Sequence, residues 1–83
     1  MKTELHDHAR QRLVERGATE EEVIATVEQG EQLPAKFGRV GFRRNFPFQG
    51  TWRGRPYSTK QVEAIAVREP ARWLVITVIT RFF

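Results

Sequence analysis

The chain has 83 residues, 40% of them hydrophobic; this is enough for one small domain over residues 1–83 but excludes an enclosed large-substrate chamber, so any site is expected on the surface. With no cysteine and only His6 and His8 as histidines, a disulfide framework, a thiol nucleophile and a cysteine metal site are ruled out; His6-Asp7-His8 lacks the i, i+4 spacing of a helical metal pair, so neither metal nor cofactor is expected. The net charge of +4 is unevenly spread: residues 1–32 hold four bases and eight acids, whereas residues 33–62 hold seven bases and no acid.

The opening MKTELHDHARQ is too polar for a signal peptide, and no run reaches the ~18 apolar residues of a membrane span, so a cytoplasmic protein without a membrane partner is expected. The first predicted element is a helix ending at Arg16. Gly17 suits the left-handed position past a helix end, Leu5, Ala9 and Leu13 form an apolar row, and Thr3 or Asp7 is the N-cap. Beside that row stand His8, Arg12 and Arg16, four residues apart, an imidazole and two guanidiniums along one face. Like charges at this spacing mildly destabilise a helix, so an anion held between them would account for the pattern. The competing explanation is an ordinary helix surface, with His8 simply exposed or satisfied by Asp7, Arg12 paired with Glu15 and Arg16 with Glu20.

A second helix follows, with Thr19 and Glu22 as a capping box, Glu20, Glu21 and Glu22 in its first turn, Val23, Ile24 and Val27 as its buried stripe, and Gly30 as its stop. A DNA-reading helix-turn-helix fails on charge, because a recognition helix beginning Thr-Glu-Glu-Glu would press acids onto phosphates.

Beyond Pro34 the pattern predicts strands over residues 36–46, 60–68 and 73–83, a Gly-rich loop through Gly50, Gly54 and Pro56, and a turn at Glu69-Pro70-Ala71-Arg72. The expected fold class is α+β: two N-terminal helices packed on one face of a curved antiparallel sheet of three to four strands. Lys36, Arg39, Arg43, Arg44, Arg53, Arg55 and Lys60, interleaved with Phe37, Phe42, Phe46, Phe48, Trp52 and Tyr57, are candidate nucleic-acid contacts that combine phosphate binding with stacking. Trp52, in the loop beside Arg53, is the better stacking candidate. Otherwise the bases form a solvated strand face with its aromatics in the core.

HARQRLVERG followed by TEEEVIATVEQGE, a basic sheet and a closing strand resembles a small bacterial domain family of unknown function, related to RelE-like and BrnT-like toxins within the superfold of barnase and the colicin ribonucleases. The likeness covers most of the chain, best at residues 6–31 and 73–80, and is missing over residues 46–59. His8, Arg12, Arg16 and Gly17 match the family's helix pattern, and Ile76, Thr77 and Val78 match its last strand; Ile79 stands where an aromatic residue, commonly Tyr, follows. The resemblance implies a two-helix, antiparallel-sheet fold, RNA cleavage without metal, and a cognate antitoxin as partner.

Such cleavage needs a base for the 2′-hydroxyl proton, an acid for the leaving 5′-oxygen and cations for the phosphorane charge. His8 is assigned as acid or base and Arg12 and Arg16 as phosphate clamps, with Thr77 and Arg81 completing the site if the last strand runs beside helix one. Thr77 and Thr80 face opposite sides of a regular strand, so without a bulge at most one of them joins it. The function expected is a toxin-like RNA-binding domain of a toxin–antitoxin system, a metal-independent endoribonuclease. The alternative is a non-catalytic basic module for nucleic acid or an acidic protein partner.

Overall fold

From Lys60 to Ala66 the even positions Lys60, Val62, Ala64 and Ala66 are buried and the odd ones only partly so, the period of two of a strand with one covered face. That strand is the centre of the sheet. The computed structural model describes residues 1–83 and runs β1 (Lys2–Leu5), α1 (Asp7–Gln11), α2 (Leu13–Arg16), α3 (Glu20–Gln29), β2 (Glu31–Pro34), β3 (Val40–Trp52), β4 (Arg55–Glu69) and β5 (Arg72–Phe82). The five strands form one mixed sheet in the order β1-β5-β4-β3-β2, with β1 parallel to β5 and every other pairing antiparallel.

The three helices share one face of this sheet. Leu13, Ala18, Val23 and Val27 bury against Phe42 of β3, Val62, Ala64 and Ala66 of β4, and Val75 and Val78 of β5, with Leu5 from β1. Trp73 closes one side, its ring edge-to-face with Phe42 at 5.0 Å. The odd positions of β3 and β4, among them Arg43, Asn45, Gln61 and Glu63, face the other way.

The expected architecture of two helices on an antiparallel sheet of three to four strands is therefore corrected to three short helices on a five-stranded mixed sheet. Two short edge strands make the difference. KTEL is too brief for its alternation to stand out, and its parallel pairing of Lys2 with Arg72 and Leu5 with Val75 depends on a strand some seventy residues away. Glu31–Pro34 pairs antiparallel with β3 in the same inconspicuous way. The first helix also breaks: Arg12 sits at φ −89°, ψ −5°, and its amide donates to Ala9 O in a tighter turn than an α-helix. The predicted Gly-rich loop is instead a continuous β3–β4 hairpin arm, turned by Arg53 and Gly54 at φ +52° and +81°, the two positive values a tight I′ turn demands.

α3 matches its sequence prediction, with both capping-box bonds between Thr19 and Glu22 present. Gly30 ends it where α3 turns into β2, with the backbone of β3 close by. A Cβ at Gly30 would collide with Thr26 O and come within 2.7 Å of Arg43 O, both backbone atoms that cannot swing away. Gly30→Ala is expected to destabilise the domain by about 2 kcal/mol, a fall in Tm of about 10 °C, measurable by thermal unfolding; an unchanged Tm would contradict this packing. No helix is long and apolar enough to cross a membrane.

Candidate functional site

The chain leaves β1 at Leu5, and the His6 amide donates to Val75 O at 2.8 Å, the last rung between the two parallel strands. His6, rather than Thr3 or Asp7, is the N-cap of α1: its Nδ1 accepts the His8 amide at 3.1 Å. From residue 76 onward β5 has lost β1 as a neighbour, and α1 and α2 pack alongside it in that place. Ala9 and Leu13 point into the core, so His8, Arg12 and Arg16 are carried along the helix edge nearest β5.

There they enclose a cavity of about 140 Å³ together with Ala9, Ile76, Thr77 and Val78. The register of β5 makes this possible. Val75 pairs with Ala66 and Thr77 with Ile65, so Ile76 is an extra residue bulged out of the ladder. The bulge places buried positions three apart, at Val75 and Val78, and leaves Thr77 at the cavity wall. The Ile76-Thr77-Val78 motif is legible in the sequence, whereas the bulge is set by the pairing with β4.

The cations of this cavity are uncompensated. Glu20 binds Arg10 at 2.7 Å, a contact that raises the Arg10 pKa further through its hydrogen bond and its charge, instead of binding Arg16. No carboxylate forms an ion pair with Arg12 or Arg16, so the expected pairings with Glu15 and Glu20 are absent, while His8 and Arg12 are exposed. Arg16 Nε is moreover buried with no acceptor in the protein, a donor whose desolvation costs about 1–3 kcal/mol when unmet. Two guanidiniums and an imidazole around one small hollow, with the Ile76–Val78 stretch of β5 as its wall, make a candidate oxyanion site.

The end of α2 is held from the sheet. Glu15 O accepts from Arg53 at 3.1 Å, Arg16 O from the Thr80 hydroxyl, and Gly17 O from Lys60 Nζ at 2.8 Å. Thr77 and Thr80 thus divide as the alternation requires: the Thr80 side chain faces the helices and caps α2, whereas that of Thr77, level with Ile65, faces the other way. Gly17 adopts φ +72° and lies under Trp52, whose ring stacks on Phe82 at 5.0 Å. Trp52 is consequently a packing residue with one face covered.

The basic middle segment does not form one surface. Lys60 is buried, its side chain 9% exposed, and pairs with Glu22 at 2.9 Å, so it offers nothing to a phosphate outside. Arg43 faces away from the helices and pairs with Glu31 at 2.9 Å, while Arg44, on the helix side, donates to the Gln29 side chain. Lys36 and Arg39 sit in the β2–β3 turn, where Arg39 lies over the exposed Phe37, and Arg55 is exposed beside the turn of the hairpin arm. Arg81 is not with His8 either; it lines a separate hollow of about 130 Å³ with Gln61, Glu63, Ile79 and Thr80. A larger depression of about 370 Å³ runs along the hairpin at Gln49, Gly50, Thr51, Pro56, Tyr57 and Ser58, but it holds no charged group to bind or transfer anything. Of the sequence-predicted site residues, the structure brings His8, Arg12, Arg16 and Thr77 to one cavity. No protein-family model, curated protein or solved structure matches this chain.

Proposed function

We propose that the cavity receives a backbone phosphate of RNA and that the protein is a toxin-like, metal-independent endoribonuclease acting in the cytoplasm, related to the RelE-like and BrnT-like toxins and partnered by a cognate antitoxin. One observation carries the reading: His8, Arg12, Arg16 and Thr77 line a single cavity of about 140 Å³ in which neither guanidinium has a carboxylate partner. That volume is well under the roughly 300–1,000 Å³ of sites that engulf a whole small molecule, which suits one phosphate of a longer chain.

In the reaction the 2′-oxygen attacks phosphorus as the bond to the 5′-oxygen breaks, leaving a 2′,3′-cyclic phosphate. Arg12 and Arg16 bind the non-bridging oxygens, where charge builds. The His8 imidazole is the acid–base group at the cavity; it carries one proton transfer and solvent the other. That His8 stands alone favours a second reading, a phosphate-binding module without chemistry.

Incubation with RNA and a chelator separates the two. Fragments ending in 2′,3′-cyclic phosphate are expected for the enzyme; intact RNA, bound in a salt-dependent way, would leave only the binding module, and no binding at all would remove both. Within either reading, Arg16→Gln is expected to weaken RNA binding about tenfold and to lower the slope of log affinity against log salt by about one, measured by fluorescence anisotropy.

A further inference from the structure

α2 is a single turn of four residues, too short to hold its own shape, and the last carbonyls of any helix lack partners within it. Here three successive carbonyls, those of Glu15, Arg16 and Gly17, each accept from a different strand or turn of the sheet: Arg53, Thr80 and Lys60. None of these three side chains lines the cavity.

Lys60 is the most informative of them. Burying an ammonium is unfavourable, and a buried ion pair adds little stability over a well-packed apolar side chain, so such a pair is best explained by the position it specifies. Its Nζ reaches Gly17 O at 2.8 Å and Glu22 Oε1 at 2.9 Å, beside the contacting rings of Phe48 and Phe82. Glu22 in turn accepts the Thr19 amide at 2.9 Å, so one cation ties the Gly17 turn to the start of α3. The residue just before that turn is Arg16, whose Nε is buried without an acceptor in the protein. A donor can be kept unmet in one orientation only if the backbone that carries it cannot relax.

We infer that Lys60, Thr80 and Arg53 are positioning residues that aim the Arg16 guanidinium into the cavity. The inference rests on the reading of that cavity as a phosphate site for its purpose, but the orientation of Arg16 can be measured without it. In ¹⁵N-labelled protein, Thr80→Val is expected to speed exchange of the Arg16 Nε–H with water about five- to tenfold and to weaken inorganic phosphate binding by a similar factor. Thr80→Ser, which keeps the hydroxyl, should retain both. Arg53→Ala, at an exposed position, should act in the same direction by about twofold, and it serves if Thr80→Val does not fold. Val27→Ala loses core packing away from the cavity and should lower Tm while leaving Arg16 exchange and phosphate affinity as in the wild type.

Unchanged Arg16 exchange in Thr80→Val, or in Arg53→Ala where that variant stands in for it, would overturn the inference; so would an equal acceleration in Val27→Ala. If exchange responds to Thr80→Val but phosphate shifts neither Arg16 nor His8 even in the wild type, the positioning role stands and the phosphate reading of the cavity fails.

Discussion

His8→Ala is expected to slow RNA cleavage by about 10²–10⁴-fold, the usual worth of a positioned proton-transfer group, while RNA affinity stays within about threefold. The split follows from the division of labour at the cavity. Arg12 and Arg16 remain, uncompensated by any carboxylate, and they supply the attraction for phosphate. His8 lies at the start of α1 with its side chain exposed, and the bond that caps this helix uses its backbone amide, which the substitution retains. Tm should therefore barely move, and the loss should fall on kcat. Equal losses in affinity and rate would make His8 a binding residue; unchanged cleavage would put the chemistry elsewhere.

Lys60→Met should destabilise the domain by about 3 kcal/mol, lowering Tm by about 15 °C. Methionine keeps an unbranched apolar chain packed beside Phe48 and Phe82, so the change isolates the loss of the charge and its two hydrogen bonds. What remains is a half-buried Glu22 carboxylate without its cation and a Gly17 carbonyl without its donor. Adding Glu22→Gln should recover part of the loss, since the amide can still accept the Thr19 amide at lower desolvation penalty. A Tm within a few degrees of wild type for Lys60→Met would show that the buried pair holds nothing in place.

The features visible in the sequence are those set by neighbours within a few residues. Thr19 and Glu22 cap α3 by direct local bonds, and Glu69 and Arg72 close the β4–β5 hairpin around Pro70 and Ala71, so both were readable from spacing. The row of His8, Arg12 and Arg16 survives the helix break because the Arg16 amide still donates to Arg12 O, which keeps the i, i+4 spacing through the junction. What stayed hidden depends on distant partners. β1 exists because β5 offers it an edge, Ile76 bulges because two strands differ in register, and Lys60 is buried because Glu22 and Gly17 come from elsewhere in the chain. The acid-free stretch was misleading for the same reason. Its charges are consecutive in sequence, but strand alternation and the bent hairpin send Arg43, Arg44, Arg53 and Lys60 to four different surroundings.

The central claim, that this cavity takes an RNA backbone phosphate, is tested most directly by titrating ¹⁵N-labelled protein with a short 2′-O-methyl RNA, which binds but cannot be cleaved. Saturable shifts are predicted at the Arg12 and Arg16 Nε–H groups, the His8 ring and the amides of Ile76, Thr77 and Val78, all weakening as salt rises. Shifts confined to Lys36, Arg39 and Arg55, with the cavity signals unmoved at saturation, would contradict it.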